Sequence, residues 1–569
     1  MKKLTRRTLR IISLLLVAGL ALAACGGGNN QQNQTTQQAQ QATQSAQDSQ
    51  PPAETEAVTT QAAPTAPLTT GSIIETQPAV EVEPAPEGTL LRVRNRGDIM
   101  TMDPCFVTGP NDEFPIQQVY EPLVRFIPGT FDYEMLLAEK FEIRSDVEIY
   151  FKLREGVQFH KGYGEVTAED VKWSLERFID PEVVSPYAAD WGPLSHVEVL
   201  SKYEGVIHLD EPLASLMVIA LPTTRGSIMC KAHYDAVGLD AFTFDPVGTG
   251  PYTFVEWKPN EILKLQRNPD YYGKQSYYQS IDIIPIAEDS VAELALEAGD
   301  VDFSLIPVTS IDRFQNRPGY STLLYPNARY AWIGMNMEHP KLKDINVRQA
   351  IRYGIDVPSI LTVAYNNLSP WATAAIPPGY MGYWEDAPKY ERDVDKAKGY
   401  MAAAGLTSLD LEIAIVDSVE FRTYAEIAKQ NLEEVGINLT INSMDEAAFS
   451  QLGFEDRVED VMLFATSFSA PTDPSWYTMW FLPEQIGLWN RMRWNSPEFN
   501  DMHFRALKEM DPVKRGEIYI EMQKLWDEAC NAVWVTHTVQ LFAYKEDIVP
   551  LFQMGMPVPL LRDFTSTGQ

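Results

Sequence analysis

LDLEIAIVDSVEFRTYAEIAKQNLEEVGINLTI, residues 409–441, is the stretch on which the fold class turns. Leu409, Leu411, Ile413 and Ile415 fall on alternate positions, the period of a strand with one face buried. Tyr424, Ile427, Ala428, Leu432 and Val435 then recur at helical spacing, and Gly436 supplies a stop. Ile437, Leu439 and Ile441 alternate again. Strand, helix and strand over this span make a βαβ unit, which predicts a parallel strand pair, a right-handed crossover and an α/β fold.

The same mixture extends outward. Downstream, Asp511-Pro512 opens a helix whose buried face carries Tyr519, Met522, Leu525, Trp526 and Ala529. Upstream, Ile149, Phe151 and Leu153 alternate with Tyr150 and Lys152 as a half-buried strand. Thr167-Ala168-Glu169-Asp170 is a capped helix start, followed at helical spacing by Val171, Leu175 and Phe178. No internal repeat appears. A chain of 569 residues exceeds one ordinary domain, so two or more lobes are expected.

The N-terminus reads as an address. Lys2, Lys3, Arg6, Arg7 and Arg10 precede an apolar stretch, Ile11 to Leu22, that is shorter than the ~20 residues a membrane span needs. Leu22-Ala23-Ala24-Cys25 follows, and it resembles a bacterial lipobox. Residues 1–24 are therefore expected to be a signal peptide and Cys25 a lipidated N-terminus. Residues 26–87 hold no aromatic residue, Lys or Arg. Such a tract cannot bury enough apolar surface to offset its chain entropy, so it is expected to be a disordered tether. As a random coil it would reach about 45 Å.

The net charge of −32 excludes nucleic acid and anionic lipid surfaces as partners, because both require a basic face. With Cys25 lipidated, Cys105, Cys230 and Cys530 allow at most one intramolecular disulfide. The pair stays open, with Cys105–Cys230 as the first candidate. Seven scattered histidines and the lack of a Cys/His cluster leave no metal site, and no cofactor motif is present.

A series of short motifs runs through residues 90–550. Met102-Asp103-Pro104 is followed by Tyr120-Glu121-Pro122-Leu123, Phe151-Lys152-Leu153-Arg154-Glu155-Gly156-Val157-Gln158-Phe159-His160 and Thr167-Ala168-Glu169-Asp170-Val171. Pro246-Val247-Gly248-Thr249-Gly250-Pro251-Tyr252, Arg267-Asn268-Pro269-Asp270-Tyr271-Tyr272 and Gly299-Asp300-Val301-Asp302 come next. Asn336, Val347-Arg348-Gln349-Ala350 and Ile355-Asp356 complete it. In order and spacing this series resembles the peptide/nickel class (family 5) of extracytoplasmic solute-binding proteins, which includes dipeptide- and oligopeptide-binding proteins. Most pieces read as structural: Gly248 and Gly250 as turn glycines with positive φ, Asp170 as a helix-start residue.

The resemblance implies a two-lobed periplasmic-binding-protein-like α/β fold, type II, of the large three-subdomain variety, with mixed sheets and a hinge. Lobe I would take residues 88–327, with an inserted subdomain at about 131–245, lobe II residues 328–534, and residues 535–569 would return to lobe I. It further implies a lipid-anchored monomer on the outer face of the cytoplasmic membrane. That monomer would capture a peptide-like, sugar-like or chelate solute between its lobes and pass it to an ABC permease, without catalysis.

Carried over position by position, the ligand-facing residues are Thr108, Gly109 and Pro110, then Leu305, Ile306 and Pro307, then Trp332 and Gly334, and finally Thr466, Ser467 and Phe468. The last three match a strand whose backbone pairs with extended peptides. Ordinary core packing is the alternative for Trp332 and Phe468. One departure stands out: where dipeptide and oligopeptide binders carry an Asp for the ligand's α-ammonium, this chain has Ser469 or Ala470. An ammonium buried without a carboxylate is costly, so another acid (Asp103, Glu121 or Asp473) would have to serve.

Two other classes compete with transport. For an anchored extracellular hydrolase, no nucleophile elbow, HExxH helix, phosphate loop or Cys-His motif is present, and paired carboxylates are too common in so acidic a chain to count as a signal. A sensory module presenting a bound signal shares the fold and is not separable by sequence.

Overall fold

The computed structural model describes residues 73–74, 88–107, 109–454, 457–470, 472–554 and 558–567. The signal peptide, Cys25 and nearly all of the tether lie outside the described residues. Ile73–Ile74 form a short strand paired in parallel with Tyr133–Glu134, so the expectation of disorder across all of 26–87 does not hold there. Two adjacent Ile residues suit a sheet edge.

Ten strands form one mixed sheet: β1 (Leu90–Asn95), β2 (Tyr252–Lys258), β3 (Ile262–Arg267), β4 (Ser280–Pro285), β5 (Phe303–Ile306), β6 (Tyr320–Met335), β7 (Leu409–Val416), β8 (Ile437–Met444), β9 (Leu463–Ser469) and β10 (Ala532–Lys545). Their spatial order is β8-β7-β9-β6-β10-β5-β1-β4-β3-β2. A separate four-stranded antiparallel sheet holds Ala138–Ser145, Glu148–Leu153, Leu194–Val199 and Glu204–Leu209. Four helices matter below: α1 (Pro110–Val119), α2 (Val419–Glu433), α3 (Pro497–Lys508) and α4 (Pro512–Ala529).

The βαβ unit forms as its periodicity predicts. β7 and β8 pair in parallel from Leu409↔Ile437 to Val416↔Met444, with α2 between them in sequence. The Ser418 hydroxyl caps α2 by accepting from Phe421 N–H at 3.2 Å, and Phe421, Tyr424, Ala428 and Leu432 are buried. The capping box at Thr167 also forms, with the Asp170 carboxylate accepting from Thr167 N–H at 3.0 Å and from its hydroxyl at 2.7 Å.

The core has three parts. The first gathers Leu91, Val93, Ile281, Ile283 and Phe303 with the four-stranded sheet and with Phe542, Phe552 and Phe564 near the C-terminus. The second and third lie on opposite faces of the other end of the large sheet, because alternate residues of β6 point opposite ways. Ala331, Ile333 and Met335 enter the second with α2, and Tyr330 and Trp332 enter the third with α4. β6 and β10 run through both lobes as one antiparallel ladder. Its register slips between Pro326↔Val539 and Tyr330↔His537, where Asn327, Ala328 and Arg329 stand opposite Thr538 alone.

Gly248 and Gly250 correct the sequence reading. Neither has a positive φ. A Cβ on Gly248 would lie 2.0 Å from the Val119 carbonyl oxygen, and one on Gly250 would lie 2.5 Å from that of Gln118. These glycines let the chain pass against the end of α1. The disulfide candidate also fails: Cys105, Cys230 and Cys530 are all free and buried. Burial pushes the Cys230 and Cys530 thiols up to about 11, so they are un-ionised packing groups at neutral pH.

Candidate functional site

Away from the shared strands β6 and β10, three contacts link the first core to the second lobe among the described residues. Ala214 N–H donates to the Leu507 carbonyl at 2.9 Å, and Lys508 pairs with Glu211 at 2.6 Å. Phe131 sets its ring edge-on to Tyr380, with centroids 6.1 Å apart. Leu213 packs on the first core, while Tyr380 belongs to the third, so these contacts bridge the cleft.

The strand candidates come together behind this contact. β6 and β9 are antiparallel neighbours, pairing Trp332 with Thr466, Ala331 with Ser467 and Tyr330 with Phe468. On its other side β9 is covered by β7 only through Ala465, the last residue in register with Ile415. From Thr466 to Ser469, one backbone edge of β9 has no strand partner among the described residues. Beside it, the Ser467 hydroxyl accepts from Arg329 Nε at 2.8 Å, and Arg329 also clamps the Glu420 carboxylate at 2.8 and 3.0 Å. Phe468 is half-buried, edge-on to Trp332 at 5.1 Å, to Trp480 at 6.0 Å and to Trp489 at 6.2 Å.

The other candidates scatter. Trp332 is 0% exposed, stacked on Tyr330 at 5.2 Å and edge-on to Phe481 at 5.6 Å. That is the place of a core side chain, not of a pocket wall. Gly334 serves packing too, since a Cβ there would lie 2.3 Å from the Phe464 ring. Leu305 and Ile306 sit on β5, separated from β6 by β10, and the Leu305 carbonyl accepts from Arg94 at 2.6 Å. Pro307 follows directly. Gly109 and Pro110 open α1, and Thr108 lies outside the described residues.

The three fallback carboxylates are all committed. Arg515 donates both Nη groups to Asp473 at 2.7 and 2.8 Å, and Ser475 N–H adds a third bond at 2.9 Å. Arg177 holds Asp103 at 2.7 and 2.6 Å, with Cys105 N–H at 3.0 Å. Glu121 accepts from Arg562 at 2.8 Å, Tyr271 at 2.6 Å and Thr249 at 3.0 Å. All three carboxylates are wholly buried, so a guanidinium, and not a ligand amine, neutralises each. No sequence motif links these partners, which is why they escaped the sequence reading. Among the described residues no group of His, Cys, Asp and Glu is placed to hold a metal ion, and no helix is long and apolar enough to cross a membrane.

Comparison with known proteins agrees with this architecture. The chain is 25% identical over 457 residues to heme-binding protein A of Haemophilus influenzae, covering 74% of this chain and 82% of that one. It is 23% identical over 473 residues to the dipeptide-binding protein of Escherichia coli, covering 78% and 88%. The ABC transporter substrate-binding protein CtaP of Listeria monocytogenes superposes with a TM-score of 0.76 at 21% identity, over 84% of this chain and 99% of that one. These relatives are binding proteins, not enzymes. The family of bacterial extracellular solute-binding proteins, family 5, matches residues 132–487, and the chain belongs to it.

Proposed function

We propose that this chain, anchored outside the cytoplasmic membrane by a lipid on Cys25, captures a peptide-like solute between its lobes and delivers it as a monomer to the permease of an ABC importer. The lobe limits proposed are 88–327 with 535–569, and 328–534. The observation that carries the solute class is the open edge of β9 from Thr466 to Ser469. An extended backbone can add to such an edge as a further strand, with main-chain hydrogen bonds supplying affinity. The paired states of Asp103, Glu121 and Asp473 favour recognition through backbone and aromatic contacts over recognition of a free α-ammonium.

Mass spectrometry of the solute released on denaturing protein purified from its native host tests the class. A peptide or amide-rich compound is the expected cargo, and a sugar would sink the reading. For the anchor, Cys25→Ser should release the protein from membranes; retention after a salt wash would show that something else holds it.

A further inference from the structure

A cavity lies in the first lobe, with no residue of β9 in its lining. Its volume is about 40 Å³, and its walls include Gln117, Thr224, Gln553, Arg125, Arg562 and Phe126. Such a space holds roughly three water-sized groups. Gln117 Oε1, Thr224 Oγ1 and Gln553 Nε2 are among the wall atoms with no hydrogen-bond partner among the described residues, and the Tyr120 hydroxyl is on the same wall. Thr224 is 3% exposed and Gln553 5%. A buried polar atom left unpaired is costly, so several around one cavity call for a polar occupant.

The charges on the wall narrow the chemistry. Arg125 spends its guanidinium on Glu134 at 2.6 Å and on Asp563 at 2.8 and 3.2 Å. Arg562 is held by Glu121 and donates to the Tyr271 hydroxyl oxygen at 2.5 Å. Each formal charge at the wall already faces its opposite. What remains includes an amide acceptor, Gln117 Oε1, an amide donor, Gln553 Nε2, and the Thr224 and Tyr120 hydroxyls, which can do either. A carboxylate would meet the acceptor with no free cation. An ammonium would leave the donor unanswered. A carboxamide answers both, and its three heavy atoms fit the space.

Ring contacts link one wall of the cavity to the second lobe. Phe126 on its wall stacks on Tyr133 at 4.9 Å and meets Phe131 at 6.4 Å, and Phe131 is the residue that touches Tyr380 of the second lobe. The backbone carbonyl of Gln553 accepts from Tyr325, on the stretch of β6 that leads into the register slip.

We propose that this cavity is a subsite of the solute-binding cleft that selects a neutral carboxamide group, such as a glutamine or asparagine side chain. The proposal rests on the peptide-like reading above. Calorimetry with the acetylated tripeptides Ac-Ala-X-Ala, where X is Gln, Glu or Met, tests both. The Gln peptide should bind about tenfold more tightly than its two near-isosteres, in line with one or two satisfied buried groups. Thr224→Val should shrink that preference to about threefold or less, and Thr224→Ser should restore it. Equal binding of the three peptides, or a preference indifferent to Thr224→Val, would make the cavity a structural water site and overturn the proposal. If no peptide binds, the peptide-like reading falls, and crystals soaked in acetamide or acetate decide the subsite alone. Acetamide bridging Gln117 and Gln553, with acetate absent, supports it; neither molecule in the cavity refutes it.

Discussion

Arg515 and Asp473 face each other as a bidentate pair at 2.7 and 2.8 Å, each at most 2% exposed, inside the lobe that carries the open strand edge. α4 supplies the arginine, and the aspartate stands just after β9, so the pair ties the end of that strand to the longest helix of the lobe.

Arg515→Met should therefore cost roughly 3–5 kcal/mol of stability, because it strands a buried carboxylate. Asp473 burial by itself raises its pKa, but the Arg515 charge and hydrogen bonds outweigh it and hold the carboxyl below its usual range. The stabilisation is then complete above the unfolded value near ~4 and is lost as pH falls through the lower folded value. Urea unfolding monitored from pH 5 down to pH 2 would reveal it, with the pH dependence reduced in an Asp473→Asn, Arg515→Met double variant.

Two buried histidines act at milder pH. Burial lowers His503 and His537 to about 4, while the unfolded value is 6.5. His537 stays neutral and donates Nε2–H to the Ala374 and Ala375 carbonyls at 3.0 and 3.1 Å. The unfolded chain thus binds more protons between pH 6.5 and 4, so stability falls as pH is lowered through that window. The slope should be on the order of 1.4 kcal/mol per pH unit for each histidine. Replacing His537 with Gln should flatten the profile measured by chemical denaturation; an unchanged slope would place the proton uptake elsewhere.

The aromatic core of the second lobe makes opposite predictions for two neighbours. Trp332→Ala should destabilise by about 3–5 kcal/mol, as a large cavity at a fully enclosed site requires. Tyr477→Phe should stabilise by about 1–3 kcal/mol, since the buried Tyr477 hydroxyl has no partner among the described residues. Thermal melts of the two variants, read against the parent, check both signs.

Closure can be probed at the rim. Lys508 and Glu211 are both more than half exposed, so their bond contributes little by itself. Lys508→Glu turns attraction into repulsion beside the Ala214–Leu507 hydrogen bond. Solute affinity should drop by roughly two- to fivefold at low salt and recover as salt screens the charges. Titrations at two ionic strengths measure it, and an affinity indifferent to both substitution and salt would remove this contact from the closing step.

Local order was the legible part of this chain. The 409–441 unit and the Thr167 cap depend on residues a few positions apart, and both form as their spacing predicts. The motif 246–252 marked the family, yet the reason for its glycines lies in the carbonyls of Gln118 and Val119, about 130 residues earlier in the chain. The partners of Asp103, Glu121 and Asp473 stand 74, 441 and 42 residues away, a separation no pattern records. Trp332 could be read as wall or core because an aromatic on a strand suits either, and only its enclosure by Tyr330, Phe468 and Phe481 decides.

The position of β10 bears on how the chain matures. This strand, residues 532–545, lies between β6 and β5 near the middle of the ten-stranded sheet, though it follows both of them far along the chain. Until it emerges, β5 and β6 have no strand to join them, and the two halves of the sheet stay apart. Such distant pairing folds slowly, because loop closure must precede the contacts that reward it. A chain of this topology therefore completes its large sheet only after β10 has been made, whatever its local units have formed before then.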